Sequence, residues 1–319
     1  MTPRRHHYVW QKYLEPWTTP KKNSQQLWCL RKDSRAPFLT DTKNVAVERD
    51  FYRLDDLDES DSKFIRWLAF NPRTNKTLRQ LNEGWIAGFE AIFKLHKVAK
   101  ALQNITQSQR DTLDAQLIEH QEQEYSRMET NALAHLSALQ SGDLGFLEDD
   151  DQAVSFCYFL AHQYFRTKAM RDRIQATFDT SERKARFDRT WPIFRHIFAT
   201  NLGYSLFAER KTVKFQIVRA APGMEFITAD QPAINTHGAF IPLGTQVDAV
   251  ELYYPVSPNR AVIVSRHGVY QEIHGTELTT FRTSYLNQTI EHVAYEQLFS
   301  KSELELKAVA VEFCKTTRK

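Results

Sequence analysis

Apolar residues in the middle of the chain recur with the spacing of amphipathic helices. Two long segments, from Leu78 to Gln103 and from Ser108 to Leu139, carry apolar residues every three or four positions, which is the helical period. A shorter helix is predicted over 63–70, where Asp61-Ser62 provides a suitable N-cap and Asn71-Pro72 a suitable end. The pattern therefore predicts a run of helices that begins near residue 61.

This helical run continues to about residue 208, with its most apolar helix in the middle. The segment 151–173 starts next to Asp149-Asp150-Asp151, whose charge complements the helix dipole. It is apolar on nearly all sides through Ala161, which is typical of the central helix of a bundle. A further helix pair is predicted over about 181–208, with Pro192 near the start of one member.

Extended segments are predicted on both sides of the helices. In the N-terminal part they cover 27–30 and 45–52, and a last helix is predicted from about 279 to 298. Alternating apolar and polar positions after Arg210 predict antiparallel strands at 212–218, 226–228, 247–254 and 260–265. We therefore expect an α+β fold with one domain over 1–319. Its parts are strands and loops in 1–60, helices in 61–210, and strands plus a closing helix in 211–319.

Composition and cysteine usage exclude several classes of protein. Hydrophobic residues make up 42% of the chain, enough for a substantial core. Cys29, Cys157 and Cys314 are widely spaced without a C-x-x-C pair, so a disulfide framework is not expected. No apolar stretch reaches the roughly 18–20 residues of a membrane span, and no signal-peptide core is present. We therefore expect a cytoplasmic protein that does not enter a membrane.

Positive charge is concentrated in two segments although the net charge is only +3. Residues 1–36 carry eight Lys and Arg against two acidic residues, and residues 166–195 carry nine against four. Together they could form one positive face for nucleic acid. Ordinary solvated helix surface explains the second segment equally well.

The first basic segment contains the densest candidate chemistry, Arg4-Arg5-His6-His7-Tyr8. Imidazoles titrate near neutral pH and serve as general acids, general bases or metal ligands, and arginines suit phosphate. In an extended segment His6 and His7 point to opposite sides, so one can act in chemistry while the other is structural. The alternative is a pair of surface histidines near a terminus. Phosphate-binding glycine loops and the H-E-x-x-H and G-x-S-x-G motifs are absent from the sequence.

Several segments in this order resemble the bacterial family of domain of unknown function 4238 (DUF4238). The resemblance rests on His6-His7-Tyr8-Val9 with Tyr13-Leu14, Val47–Tyr52, Glu129, Gln163-x-x-Arg166-Thr167, Phe226–Pro232, Tyr254–Pro258 and Asn287. Trp10 departs from the family, which often has proline there. The match covers about residues 5 to 300. Members of the family occur among antiviral-defence genes, which implies an effector role but no particular reaction.

The resemblance implies one shared pocket formed by residues that are distant in the sequence. We expect His6, His7, Glu129 and Asp230 as catalytic residues, and Arg5, Gln163, Arg166 and Asn287 as substrate-binding residues. Several of them have a structural alternative. Arg166 could only bridge Glu129, Asp230 could cap a turn, Glu129 could be a solvated helix residue, and Asn287 could pack or cap a helix.

Two classes of function remain open at this level, and a third is not excluded. The first is an antiphage effector of the nuclease-toxin type that cleaves RNA or DNA, with or without a divalent metal such as Mg²⁺ or Mn²⁺. The second is a non-catalytic module that senses a viral protein or nucleic acid. A transferase or hydrolase acting on a nucleotide or a protein would suit the same residues. Convergence of the candidate residues in one cleft is the structural expectation that these hypotheses share.

Overall fold

The computed structural model describes residues 5–21, 24–34, 36–49, 51, 54, 57–70, 74–102, 104–266 and 274–316. Arg4, Tyr52 and the pair Asn71-Pro72 of the sequence argument lie outside these ranges, as does the side chain of Cys314. Within the described residues the fold is α+β, with short N-terminal strands, a largely helical middle and a C-terminal antiparallel sheet. This confirms the predicted fold class.

Helices dominate the middle of the chain. They are α1 (Gln11–Leu14), α2 (Glu59–Ala69), α3 (Lys76–Ala101), α4 (Gln107–Ser141), α5 (Asp150–Phe165), α6 (Lys168–Gln175), α7 (Ser181–Ala208), α8 (Thr280–Val293) and α9 (Glu303–Thr316). Short 3-10 turns cover Glu15–Trp17, Thr42–Asn44, Gly145–Glu148 and Thr236–Gly238. No helix among the described residues is both long and apolar enough to cross a membrane.

The strands of the described residues form three antiparallel sheets. They are β1 (Arg5–His7), β2 (Thr19–Lys21), β3 (Ser24–Arg31), β4 (Phe38–Asp41), β5 (Val47–Arg49), β6 (Lys214–Arg219), β7 (Thr228–Ala229), β8 (Ile234–Asn235), β9 (Glu251–Ser257), β10 (Arg260–Ser265) and β11 (Gln297–Ser300). β1 pairs with β5, the second sheet has the order β6-β10-β9-β8, and the third has the order β2-β3-β11-β7 with β4 also paired to β3. The third sheet therefore joins the two ends of the chain.

Local capping set the helix boundaries that the apolar pattern placed inaccurately. The N-cap of α2 is Asp58, and Asp61 lies three residues inside the helix and closes a reciprocal capping box with it. The predicted helix 151–173 is broken at Arg166 and Thr167, because the Thr167 hydroxyl caps the start of α6. The predicted helix pair at 181–208 is one helix, α7, which contains Pro192.

The C-terminal prediction was wrong beyond residue 293. The helix predicted to 298 ends at Val293, and the chain then forms the buried strand β11 between β3 and β7. Buried aromatic residues also connect the N-terminal segment to the C-terminal part of the chain. The Tyr13 and Tyr254 rings stack with centroids 5.1 Å apart, and the indole nitrogen of Trp17 donates to the Phe226 carbonyl at 2.9 Å. These contacts hold the N-terminal segment, and with it β1, against the rest of the core.

Candidate functional site

Strand β1 places the two histidines in different surroundings. In the β1–β5 ladder His6 lies opposite Glu48, so these two side chains share a face of the ribbon. His6 is buried and His7 is half-buried, in keeping with the alternation expected of an extended segment. The His6 Nε2 atom lies 3.9 Å from a carboxylate oxygen of Glu122 on α4. Glu122 was not among the candidates from the sequence.

The ring of His7 holds β1 in place. Its Nε2 lies 3.3 Å from the Lys43 carbonyl, and its Nδ1 lies 3.3 Å from the amide nitrogen of Gln11. Because a carbonyl only accepts, the ring donates from Nε2 and accepts at Nδ1. Arg5 donates to the same carbonyl at 3.3 Å. Burial lowers the pKa of His7, and the charges of Arg5 and Arg166 lower it further, so the ring is neutral near pH 7.

Glu129 and Arg166 form a buried ion pair. Arg166 follows the last turn of α5 and is 0% exposed, and its Nη1 lies 2.7 Å from Oε1 of Glu129, whose side chain is 14% exposed. Burial raises the pKa of Glu129 although the charge of Arg166 opposes this, and the nearby charge of Glu122 raises it further. Glu129 is therefore a carboxyl group that takes up a proton more readily than an exposed glutamate does.

These contacts bring five residues from three parts of the chain together. His6 contacts Glu122, Glu122 acts electrostatically on Glu129, Glu129 pairs with Arg166, and the charge of Arg166 reaches His7. We call His6, His7, Glu122, Glu129 and Arg166 the N-terminal cluster. Four of its members were candidates from the sequence. Glu122 lies seven residues before Glu129 on the same helix, so two-turn spacing was a signal that could have identified it.

A second buried arginine extends the positive charge behind this cluster. The Tyr125 ring contacts two guanidinium groups, with the Arg166 carbon 5.3 Å and the Arg195 carbon 5.2 Å from its centroid. Arg195 is fully buried and donates to the side-chain oxygen of Gln121, which also accepts from His196 Nε2 at 3.2 Å. Two arginines of the second basic segment are therefore interior groups rather than parts of an exposed positive face.

Lys168 adds a partly accessible positive charge next to β1. Its ammonium nitrogen lies 2.6 Å from a carboxylate oxygen of Glu48 and 5.3 Å from the centroid of Tyr8. Its side chain is 15% exposed. Lys168 thus links the start of α6 to Glu48 of β5, the residue opposite His6 in the β1–β5 ladder. It follows Arg166 by two residues, but no sequence pattern distinguished it from the other lysines.

Gln163 and its neighbour His162 are buried on the last turns of α5. Both are 0% exposed. Among the described residues, neither amide atom of Gln163 and neither ring nitrogen of His162 has a hydrogen-bond partner. Buried polar groups of this kind are normally satisfied by hydrogen bonds.

Asp230 supports the backbone of the strand that the sequence analysis missed. Its carboxylate accepts hydrogen bonds from the backbone nitrogens of Tyr295, Glu296 and Gln297 at 2.8, 2.7 and 3.0 Å. Burial raises its pKa to about 6, against the lowering effect of these three bonds. Asp230 therefore holds the backbone at the start of β11 in place. This resembles the structural alternative in which Asp230 caps a turn, except that the backbone groups it binds are distant in the sequence.

Asn287 has a comparable supporting position on α8. Its side-chain oxygen accepts from the Ile227 nitrogen at 3.0 Å, and its side-chain nitrogen donates to the Glu225 carbonyl at 2.8 Å. Both ends of the amide are therefore used to attach α8 to the segment before β7. Gln231, which follows Asp230 in the sequence, also binds backbone groups: its side-chain nitrogen donates to the carbonyls of Tyr164 and Ala233 at 3.1 and 2.6 Å.

The donor set of the N-terminal cluster fits general acid–base chemistry better than metal binding. Within the described residues no group of three or more His, Cys, Asp or Glu side chains is placed to hold a metal ion. A histidine, a carboxyl group with a raised pKa and an arginine are instead the groups used for proton transfer and for stabilising phosphate charge.

Comparison with models of known protein families yields a match over most of the chain. The model of a family described as "Protein of unknown function (DUF4238)" matches residues 5–303. No curated protein and no solved structure matches the chain.

Proposed function

The chain belongs to the DUF4238 family, and we propose that it is a bacterial defence effector that cleaves RNA with the N-terminal cluster. One observation carries this proposal. A buried histidine lies next to Glu122, and Glu122 acts electrostatically on Glu129, a carboxyl group with a raised pKa that is paired with the buried Arg166. The defence role is supported by the resemblance to a family with members among antiviral-defence genes.

His6 is the proposed general base. Its imidazole lies near Glu122, and a carboxylate beside a histidine orients the ring and stabilises its protonated form. The distance of 3.9 Å is longer than a hydrogen bond, as catalytic contacts often are before substrate binds. His7 is not assigned this role, because both of its ring nitrogens already bond to Lys43 and Gln11.

Arg166 and Glu129 act as a coupled pair in the proposal. A phosphodiester bears a negative charge that competes with Glu129 for the guanidinium of Arg166. When the phosphate binds the guanidinium of Arg166, the carboxyl group of Glu129 loses its counter-charge and its pKa rises further. Glu129 is then a general acid placed beside the phosphate. Lys168 adds positive charge at the rim of the site.

RNA is the proposed substrate because it carries its own nucleophile. His6 removes the proton of a ribose 2′-hydroxyl, whose oxygen forms a bond to the adjacent phosphorus. The bond from phosphorus to the 5′ oxygen breaks, and Glu129 gives its proton to that leaving oxygen. The products are a 2′,3′-cyclic phosphate and a 5′-hydroxyl end, and protons and charge balance. Recognition of the 2′-hydroxyl is also how proteins distinguish RNA from DNA.

The test compares RNA and DNA oligonucleotides of one sequence, incubated with the full chain in EDTA, in Mg²⁺ and in Mn²⁺. We expect cleavage of the RNA alone, with cyclic phosphate ends detected by mass spectrometry, and no requirement for metal. His6→Gln and Glu129→Gln should each lower the cleavage rate by about 10²-fold or more, the usual effect of losing a general acid or base. His237→Gln changes an exposed histidine outside the cluster and should leave the rate unchanged.

Three results would overturn the proposal. Equal cleavage of DNA would exclude the 2′-hydroxyl as nucleophile, and cleavage only with a metal would exclude the acid–base route. Wild-type activity of a folded His6→Gln variant would remove the proposed base. Binding of RNA without any turnover would instead favour the non-catalytic sensing module. Expression in cells then provides a second readout, since toxicity or protection from phage should be lost together with cleavage.

A further inference from the structure

A pocket of about 280 Å³ opens between α4, α5 and α7. None of the five residues of the N-terminal cluster lines it. The lining residues are Glu124, Tyr125, Arg127, Met128, Asn131, Ser155, Tyr158, His162 and His196. Glu124 and Arg127 form an exposed ion pair on α4, so the charged part of the lining is at the rim and the aromatic part is inside.

His162 is the unusual member of this lining. It is 0% exposed, and among the described residues neither of its ring nitrogens has a hydrogen-bond partner. Burial lowers its pKa well below the ordinary value, and the charges of Arg166 and Arg195 lower it further. The ring is therefore neutral near pH 7, with one nitrogen that donates and one that accepts. A buried polar group without a partner is costly, and a ligand in the pocket can supply that partner.

Flat rings surround His162 on several sides. The Tyr158 ring meets it edge-on with centroids 4.4 Å apart, and Tyr125 meets it edge-on at 5.6 Å. The His196 ring lies 5.2 Å from His162 and stacks on Tyr125 at 5.4 Å. The Tyr125 and His196 rings already stack on each other, so the lining favours a small planar ligand that packs edge-on against these rings. Pockets for drug-sized molecules begin at roughly 300 Å³, so the ligand is small.

We propose that this pocket binds a single purine or pyrimidine base, with His162 hydrogen-bonding to the edge of the base. A base combines a flat apolar body, which can pack against the edges of these rings, with donors and acceptors along its own edge. The two buried arginines next to Tyr125 make the inner end of the pocket unfavourable for a cation, whereas bases are neutral. The base belongs either to a free nucleoside or to a single-stranded RNA, and the inference does not depend on the cleavage activity proposed above.

Binding is measured by isothermal titration of the full chain with adenosine, guanosine, cytidine and uridine, and with a six-nucleotide single-stranded RNA bearing 2′-O-methyl groups, which cannot be cleaved through a 2′-hydroxyl. His162→Phe keeps a ring of similar shape and removes both nitrogens, so Kd should rise by about tenfold, the usual effect of one lost hydrogen bond. Asn131→Trp places a large side chain from the exposed face of α4 at the pocket and should abolish binding.

Ala134→Trp is the matched control, because Ala134 is exposed on the same helix and does not line the pocket. It should bind as the wild type does, and the thermal unfolding midpoints of all three variants show whether they are folded. Saturable binding of at least one nucleoside identifies a free ligand, and binding of the RNA alone identifies a base within a strand. The proposal would be overturned if the wild-type chain bound none of these ligands. It would also be overturned if the folded variants His162→Phe and Asn131→Trp bound them as tightly as the wild type does.

Discussion

Breaking the buried pair of Glu129 and Arg166 from one side should destabilise the protein far more than removing both charges. The two atoms lie 2.7 Å apart, Arg166 is 0% exposed and Glu129 is 14% exposed. Loss of one partner of a buried ion pair costs about 3–5 kcal/mol, because an uncompensated charge stays in the interior, whereas apolar replacement of both is often neutral. Glu129→Leu should therefore lower the free energy of unfolding by an amount in that range.

The two single variants should not be equivalent. In Arg166→Met the remaining carboxyl group of Glu129 can take up a proton, and its pKa is already raised by burial. In Glu129→Leu the guanidinium of Arg166 cannot lose its charge at any relevant pH. Arg166→Met should thus cost less than Glu129→Leu. The double variant should be more stable than the sum of the single effects predicts, by about 2 kcal/mol or more.

Urea unfolding at pH 7, followed by circular dichroism, measures this cycle. Glu124→Leu and Arg127→Met form a matched control cycle, since their charged atoms lie 2.9 Å apart on the same helix but are 38% and 73% exposed. Exposed pairs contribute about 0–1 kcal/mol, so the control coupling should be small. Equal coupling energies in the two cycles, or strictly additive effects at Glu129 and Arg166, would refute the reasoning.

Two further predictions concern the packing of the fold and its pH dependence. Gly203→Ala should lower stability by about 1–2 kcal/mol, because the new Cβ would lie 3.0 Å from the Tyr158 backbone of α5 and overpacking outweighs helix propensity. Gly88→Ala, with no atom within 4 Å of the new Cβ, should raise it by about 0.5–1 kcal/mol. Chemical denaturation of both variants checks this, and a Gly203→Ala variant as stable as wild type would contradict it. The pKa of Asp230 is raised to about 6 in the folded protein, so its contribution to stability is fully present below about pH 4 and is lost as pH rises through 6. The free energy of unfolding of the wild type minus that of Asp230→Asn, measured in urea from pH 4 to 7, isolates the contribution of Asp230. This difference should fall as pH rises, and a difference that rises with pH would contradict the prediction.

Much of the helical region was predictable because helix formation there follows local rules. The period of apolar residues located α3 and α4 to within a few positions, and it located α2 with its start displaced. The displaced start has a local cause, since two aspartates compete for the N-cap and the reciprocal box with Asp61 favours Asp58. The break between α5 and α6 was missed because neither glycine nor proline marks it in the sequence, and the Thr167 side chain caps the start of the new helix.

Strand β11 was missed for a different reason. Its four residues follow α8 closely, and their short apolar run does not distinguish a strand from the end of a helix. What makes it a strand is pairing with β3 from the other end of the chain and with β7. The backbone bonds to Asp230 hold its start. None of these partners can be read from the segment itself.

The candidate site shows the same difference between local sequence patterns and contacts made in space. The sequence by itself determined the residue types and their local spacing: two histidines on an extended strand, a glutamate on a helix, and Gln163 one turn before Arg166. Only the tertiary structure decided their partners and their burial. It brought His6 to Glu122, buried Glu129 against Arg166, and turned Asp230 and Asn287 toward backbone groups. The physical reason is that hydrogen bonds, charge pairing and desolvation depend on distance in space, whereas a sequence pattern records only distance along the chain.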